Sequence, residues 1–110
     1  MSAVLDSVTG HYVPITVAGD DIQLYFETAG EGIPLVCLHT AGADGRQYRA
    51  LLRDPEVTSN FRVLVPDMPW HGKSSPPAGW ESREYRLTTD QYLEYILAFM
   101  DALDLEQPVV

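Results

Sequence analysis

The sequence predicts an α/β fold whose sheet is mainly parallel and carries an antiparallel hairpin at its N-terminal end. Apolar residues alternate with polar ones near the N-terminus, which is typical of strands with one buried face. Two continuous apolar runs follow at 34–38 and 61–65, and a helical apolar stripe covers 88–103. Buried strands that alternate with helices are typical of parallel sheets.

The predicted hairpin consists of strands at 11–18 and 22–27, joined by a turn at 19–21 that contains glycine and two aspartates. Every second residue in these strands is apolar, so one face of the hairpin is expected to pack on the core. These apolar residues are Val13, Ile15, Val17, Ile22, Leu24 and Phe26.

The two apolar runs lack alternation, as expected for strands that are buried on both faces. A short helix is predicted between them, around 46–52. The second run ends at Pro66 and Asp67. Residues 68–82 are rich in proline and glycine, which predicts that they are mostly loop.

The last predicted helix, at 88–103, is the clearest one. Thr88 and Gln91 fit a capping box, in which side chains at the helix start bond to backbone amides. The acidic C-terminal end opposes the helix dipole, so packing is expected to stabilise the helix. Val109 and Val110 then begin another apolar run. The apolar stripe consists of Tyr92, Tyr95 or Ile96, Phe99 and Leu103.

Composition excludes several classes of function. The 110 residues suffice for one small domain. Residues 1–10 are expected to be a loose N-terminus, and 11–110 a partial domain that ends at the start of a fifth strand. A net charge of −9 argues against a nucleic-acid partner. The sequence has neither an apolar stretch of about 18 residues nor a secretory signal, so no membrane partner and a cytoplasmic location are expected.

Few residues offer metal or thiol chemistry. His11, His39 and His71 lack metal-ligand spacing, and no cysteine pair supports zinc, so neither a metal nor another cofactor is expected. The lone cysteine, Cys37, lies within an apolar run. It is therefore expected to be a buried and inert thiol.

Two loops resemble those of a known superfamily. Leu-His-Thr-Ala-Gly at 38–42, with Tyr48 nine residues after the histidine, resembles the His-Gly loop after the third strand of α/β-hydrolases. Pro-Asp-Met-Pro-Trp-His-Gly-Lys-Ser at 66–74 resembles their Asp-x-x-Gly-His-Gly-x-Ser segment after the fourth strand. Residues 11–110 thus resemble the N-terminal portion of that superfamily.

The resemblance implies how these loops take part in catalysis. The backbone N–H of Ala41 would donate to the oxygen that becomes negative in a tetrahedral intermediate, which makes Ala41 the expected catalytic residue. Thr40, Gly42 and Trp70 are expected to lie on the substrate-binding side. Thr40 and Trp70 each replace a glycine of the family pattern. The first restricts φ in the oxyanion loop, and the second is expected to narrow the substrate channel.

The same loops contain side chains that invite a catalytic assignment. By family position, His39, Asp67 and His71 are expected to brace the loops through hydrogen bonds rather than to act as acid or base. Ser74 and Ser75 lie near a glycine but outside any nucleophile elbow. They are therefore expected to cap or hydrogen-bond the loop.

The implied activity is that of a serine hydrolase acting on a small ester or a related acyl bond, with this chain supplying the oxyanion loop. A nucleophile elbow would be written Gly-x-Ser-x-Gly, and no such string occurs here. No nucleophile, acid or base of a triad is therefore expected in the 110 residues, which alone are predicted to be inactive. Dehalogenases, epoxide hydrolases, carbon–carbon bond hydrolases and peroxidases of the superfamily are not separated by these residues.

A second interpretation is a truncated, non-catalytic fragment that binds a partner chain or a small ligand. The sequence stops just inside a predicted strand, where an unfinished sheet edge favours pairing with another chain. The expected partners are a small-molecule substrate and either a second copy, giving a homo-oligomer, or a complementing C-terminal segment. A nucleophile elbow encoded soon after Val110 would favour the enzyme, and a stop codon there would favour the fragment.

Overall fold

The structure of the chain is a computed structural model that describes residues 7–39, 45–68, 72–74 and 89–110. The first strand begins at Thr9, two residues before the predicted start at residue 11. In chain order the elements are β1 (Thr9–Val17), β2 (Asp20–Ala29), β3 (Ile33–Val36), a 3-10 turn (Gly45–Tyr48), α1 (Arg49–Leu52), α2 (Pro55–Thr58), β4 (Phe61–Pro66) and α3 (Thr89–Ala102).

The strands form one sheet in the order β1, β2, β4, β3. The pairs β1–β2 and β2–β4 are antiparallel, whereas β3 and β4 are parallel. Val109 forms a parallel bridge with Leu35 on the other edge of β3. Its carbonyl accepts from the amide of Val36 at 2.8 Å, and its amide donates to the carbonyl of Pro34 at 2.9 Å. The sheet is therefore mixed, and the predicted α/β class with an N-terminal hairpin is confirmed.

The hairpin turn lies one residue earlier than predicted. Ala18 and Gly19 are its central residues, with φ of 51° and 82°, and the pair Val17–Asp20 closes it. Positive φ at both central positions matches the twist of hairpin strands, and glycine adopts it without steric cost. The prediction of a turn at 19–21 is wrong in detail, because both aspartates belong to β2.

Apolar side chains pack into two cores, one on each face of the sheet. The α3-face core lies between the hairpin and α3, and the α1-face core lies between β4 and the short helices. Full burial of one such aliphatic side chain stabilises the fold by about 1.5–3 kcal/mol. The buried residues of the α3-face core are Val13, Ile15, Val17, Ile22, Leu24, Phe26, Val36, Leu64, Met68, Tyr95, Ile96 and Phe99. Those of the α1-face core are Ala29, Cys37, Leu52, Val63 and Val65.

Helix α3 buries the predicted stripe. Tyr95, Ile96 and Phe99 are buried, and the Phe99 ring meets the ring of Phe26 edge to face, with centroids 5.3 Å apart. The predicted capping residue Thr88 lies outside the described residues. None of the helices in the described ranges is long and apolar enough to cross a membrane.

Replacing Gly30 with alanine is expected to lower the free energy of unfolding by about 3–5 kcal/mol, because left-handed φ and a backbone clash both oppose the new methyl group. The φ of Gly30 is +92°, and an added Cβ would lie 2.3 Å from the carbonyl oxygen of Phe61. Gly19→Ala is the matched control, since φ is +82° there and no heavy atom lies within 4 Å. Urea unfolding measures the loss in both variants, and equal losses would contradict the clash.

Candidate functional site

The carboxyl ends of the parallel strands β3 and β4 lie side by side, and the loops that leave them contain the residues selected from the sequence. The structure describes His39, three residues after the end of β3, and Asp67, directly after the end of β4. The remaining predicted site residues, Thr40, Ala41, Gly42, Trp70 and His71, lie outside the described residues, so their roles stay predictions.

Asp67 is a buried carboxylate, 5% exposed, whose two oxygens each accept a backbone hydrogen bond. Oδ1 accepts from the amide of Gly45 at 2.6 Å, and Oδ2 accepts from the amide of Lys73 at 2.9 Å. Hydrogen bonds to an ionised acceptor are stronger than neutral ones. The carboxylate therefore ties the start of the 3-10 turn and the 72–74 segment to the end of β4.

The hydroxyl of Ser74 is inserted between β2 and the residue that follows β4. The β2–β4 register sets Tyr25 opposite Asp67, and the amide of Asp67 donates to the carbonyl of Tyr25 at 2.9 Å. The return bond is not direct. The amide of Tyr25 donates to Ser74 Oγ at 2.8 Å, and Ser74 Oγ donates to the Asp67 carbonyl. Because the Ser74 hydroxyl bonds to both Tyr25 and Asp67, it anchors the 72–74 segment to the sheet.

The His39 side chain replaces a backbone hydrogen bond just beyond the end of the β3–β4 pairing. The amide of Cys37 still donates to the Leu64 carbonyl at 2.9 Å. In the same register, the amide that would reach the His39 carbonyl is that of Met68. That amide donates instead to His39 Nε2 at 2.9 Å. A neutral histidine ring that accepts a hydrogen bond at Nε2 carries its proton on Nδ1.

Sequence reasoning selected the histidine and the aspartate but missed their partners. Gly45, Met68 and Tyr25 contribute backbone groups, so their residue types carry no signal for this role. Only the register between strands that are distant in sequence brings these groups together.

A cavity of about 440 Å³ adjoins Asp67 on the α1 face. Glu27 accepts from the Tyr25 hydroxyl at 3.1 Å and pairs with Arg49 at 3.5 Å, while Lys73 Nζ lies 4.9 Å from the centre of the Tyr25 ring. Burial, and then the nearby Glu27 carboxylate, raise the pKa of Tyr25 to about 12. The lining residues are Tyr25, Glu27, Arg46, Arg49, Asp67, Gly72 and Lys73.

The phenol of Tyr25 is expected to ionise near pH 12, and Tyr25→Phe should remove this late step from a phenolate absorbance titration. Between pH 10 and 12 the unfolded chain loses this proton and the folded chain retains it. The contribution of Tyr25 to stability is therefore fully present below pH 10 and is lost as pH rises towards 12. Subtracting the absorbance titration of Tyr25→Phe from that of the wild type isolates the Tyr25 phenol. A midpoint of this difference near pH 10 would contradict the raised pKa.

Cys37 offers no reactive thiol. It is buried, as predicted from its apolar run, and burial raises its pKa, which disfavours the thiolate. No group of three histidine, cysteine, aspartate or glutamate side chains in the described parts of the chain could hold a metal ion.

Comparison with known proteins relates this chain to proteins with the alpha/beta hydrolase fold. A family model described as alpha/beta hydrolase fold matches residues 33–110. A 2-hydroxy-6-oxononadienedioate/2-hydroxy-6-oxononatrienedioate hydrolase from Paraburkholderia xenovorans (strain LB400) is 27% identical over 97% of this chain and 36% of its own length.

Two solved structures are similar at the same level of identity. A haloalkane dehalogenase from Agrobacterium tumefaciens C58 is 27% identical, with a TM-score of 0.67 over 90% of this chain and 31% of that chain. A mutant N-acyl homoserine lactonase is 27% identical, with a TM-score of 0.68 over 93% of this chain and 35% of that chain. The chain thus spans about a third of the length of these relatives.

Proposed function

The chain belongs to the alpha/beta hydrolase fold family, and from this premise we propose that it supplies the oxyanion loop of a hydrolase acting on a small ester or a related acyl bond. One observation carries the proposal. The residues on both sides of 40–44 are anchored to two consecutive residues directly after β4, since His39 accepts from the amide of Met68 and Gly45 donates to Asp67.

Anchoring of this kind suits a loop that must hold a donor in place. Stabilisation of a developing negative charge depends on donors that are fixed before the reaction begins, because reorganisation would cost free energy at that moment. The two anchors at His39 and Gly45 restrict the ends of a five-residue segment. We assign the loop-bracing role to His39 and Asp67 on these contacts, and to His71 on its position in the motif.

In the proposed reaction, a serine oxygen outside these residues attacks the carbonyl carbon of the ester. The carbonyl oxygen then becomes negative and accepts a hydrogen bond from the amide of Ala41. A histidine takes the serine proton, and a carboxylate orients that histidine. One such backbone donor is worth about 3–4 kcal/mol of transition-state stabilisation. Thr40, Gly42 and Trp70 are assigned to the substrate side of the loop.

The relatives favour hydrolysis but differ in the bond that is broken. The related lactonase was crystallised with N-hexanoyl homoserine, and a lactone is a cyclic ester. The dehalogenase and the 2-hydroxy-6-oxononadienedioate hydrolase act on other groups. Attack on an acyl–oxygen bond forms an oxyanion that a backbone donor can stabilise. A small-molecule substrate in the cytoplasm is part of this proposal.

A p-nitrophenyl ester assay tests the proposal. The full-length protein is expected to release p-nitrophenol, and a serine-directed phosphonate should abolish the activity. The 110-residue chain alone is expected to show no turnover. Failure of the full-length protein on short acyl esters, together with turnover of a haloalkane or an epoxide, would move the activity to another branch of the family. Inhibitor-sensitive turnover by the 110 residues would place a nucleophile within them.

The binding alternative predicts a different outcome. A chain that only pairs with a second copy or with a partner chain would show no turnover in any form. Its oligomeric state, measured by light scattering, would instead depend on concentration. Catalysis by a monomeric full-length protein would exclude this alternative.

A further inference from the structure

We propose that Tyr48 and Tyr92 form a tyrosine clamp, a pair of positioning residues whose hydroxyls fix the carbonyls of Leu38 and His39, between the end of β3 and the oxyanion loop. The inference rests on the proposed function, because the clamp would act through the loop that follows. It adds two side chains, from different elements, to the machinery of that site.

Each hydroxyl donates to one of two consecutive carbonyls. The Tyr48 hydroxyl donates to the carbonyl of Leu38 at 2.6 Å. The Tyr92 hydroxyl donates to the carbonyl of His39 at 3.4 Å. The first bond is short and strong for a neutral pair, and the second is long, so Tyr48 is expected to be the stronger half of the clamp.

The two tyrosines approach from opposite faces of the sheet. Tyr48, in the 3-10 turn, packs against the α1-face core, and Tyr92, in α3, packs against the α3-face core. Both rings are partly buried, so packing limits their rotation. The exit of β3 is therefore held between two separately packed elements.

The clamp occupies the place where the strand ladder can no longer hold β3. Backbone groups alternate between the two edges of a strand, so the Leu38 carbonyl faces the edge where Val109 bonds to Pro34 and Val36, and β4 offers it no donor. On the β4 side, the amide of Met68 is in register with the His39 carbonyl but bonds to the His39 ring. Backbone carbonyls in a protein interior need donors, and the tyrosine hydroxyls supply two of them.

Peptide planarity carries the effect forward. A bond to the carbonyl of Leu38 fixes the plane that contains the N–H of His39, and a bond to the carbonyl of His39 fixes the plane that contains the N–H of Thr40. The next amide along the chain is that of Ala41. Its direction then depends on only two further backbone angles, those of Thr40.

The kinetic test uses Tyr48→Phe and Tyr92→Phe in the full-length protein with a p-nitrophenyl ester. Because misplacement of the donor affects the transition state and not substrate binding, kcat is expected to fall about tenfold for Tyr48→Phe with KM nearly unchanged. A smaller fall is expected for Tyr92→Phe. Thr28→Val is the matched control, since the Thr28 hydroxyl donates to the Val63 carbonyl at 2.7 Å far from this loop.

Loss of kcat in the tyrosine variants but not in the control supports the clamp. Unchanged kcat in both tyrosine variants of an active enzyme overturns it.

Proton–nitrogen correlation spectra provide a readout that needs no activity. Tyr48→Phe should shift the amide signal of His39 more than that of any other residue remote in sequence from Tyr48. Tyr92→Phe should do the same to the amide signal of Thr40. Equal, diffuse shifts of the amide signals in all three variants would overturn the clamp, whether or not the ester is a substrate. Failure of the wild-type protein to hydrolyse the ester would by itself reject only the proposed function.

Discussion

Replacing Ala41 with proline in the full-length protein is expected to lower kcat by about 10²–10³-fold, because proline lacks the N–H that would stabilise the oxyanion. KM should change little, since the bond forms mainly in the transition state. Steady-state kinetics on a p-nitrophenyl ester measure both constants.

Ala41→Gly is the matched control for this substitution. It removes the methyl group but keeps the amide, so kcat is expected to stay within a few-fold of wild type. Thermal unfolding of both variants checks that the fold is intact. A folded Ala41→Pro variant with wild-type kcat would remove Ala41 from the proposed mechanism.

Asp67→Asn is expected to lower the free energy of unfolding by about 2–4 kcal/mol, because a buried carboxylate that accepts two amides becomes a group that accepts on one side only. The asparagine NH₂ would face the amide of either Gly45 or Lys73, and that donor would lose its partner. Urea unfolding measures the loss. Release of Gly45 should also lower kcat, since this bond anchors the end of the 40–44 segment.

Asp54→Asn is the same substitution at a surface position. Asp54 caps α2 by accepting from the amide of Glu56 at 3.0 Å, and asparagine caps helices about as well as aspartate. Little change in stability is expected there. Equal losses in the two variants would show that the buried network around Asp67 contributes nothing of its own.

Much of the fold could be predicted because the signals for its elements are local. Alternating apolar residues identified β1 and β2, and the run without alternation identified β4 as a strand buried on both faces. The order of strands could not be predicted in this way. β4 lies between β2 and β3, and that placement depends on contacts between distant parts of the chain.

Two local features were predicted wrongly or missed. The turn is centred on Ala18 and Gly19, one residue earlier than predicted. Alanine has no intrinsic preference for positive φ, but it adopts this conformation here because the strand register requires it. Helix α2 was missed although Asp54 at its N-cap and Pro55 at its first position form a known start signal. Its four residues are too few to show an apolar period.

The candidate site shows the same division. Motifs selected His39 and Asp67, because their residue types are specific to the loops that contain them. The hydroxyl of Tyr92 could not be assigned from the sequence, since its helical spacing indicated only core packing. Its bond to the His39 carbonyl depends on how α3 lies against the sheet.

The most direct test of the account is a crystal structure of the full-length protein with a phosphonate ester bound covalently to its nucleophile. The phosphonyl oxygen then stands for the negative oxygen of the tetrahedral intermediate. The amide nitrogen of Ala41 is expected to lie about 2.7–3.1 Å from that oxygen. An Ala41 amide that points into the protein, or that is bonded within the sheet, would contradict it.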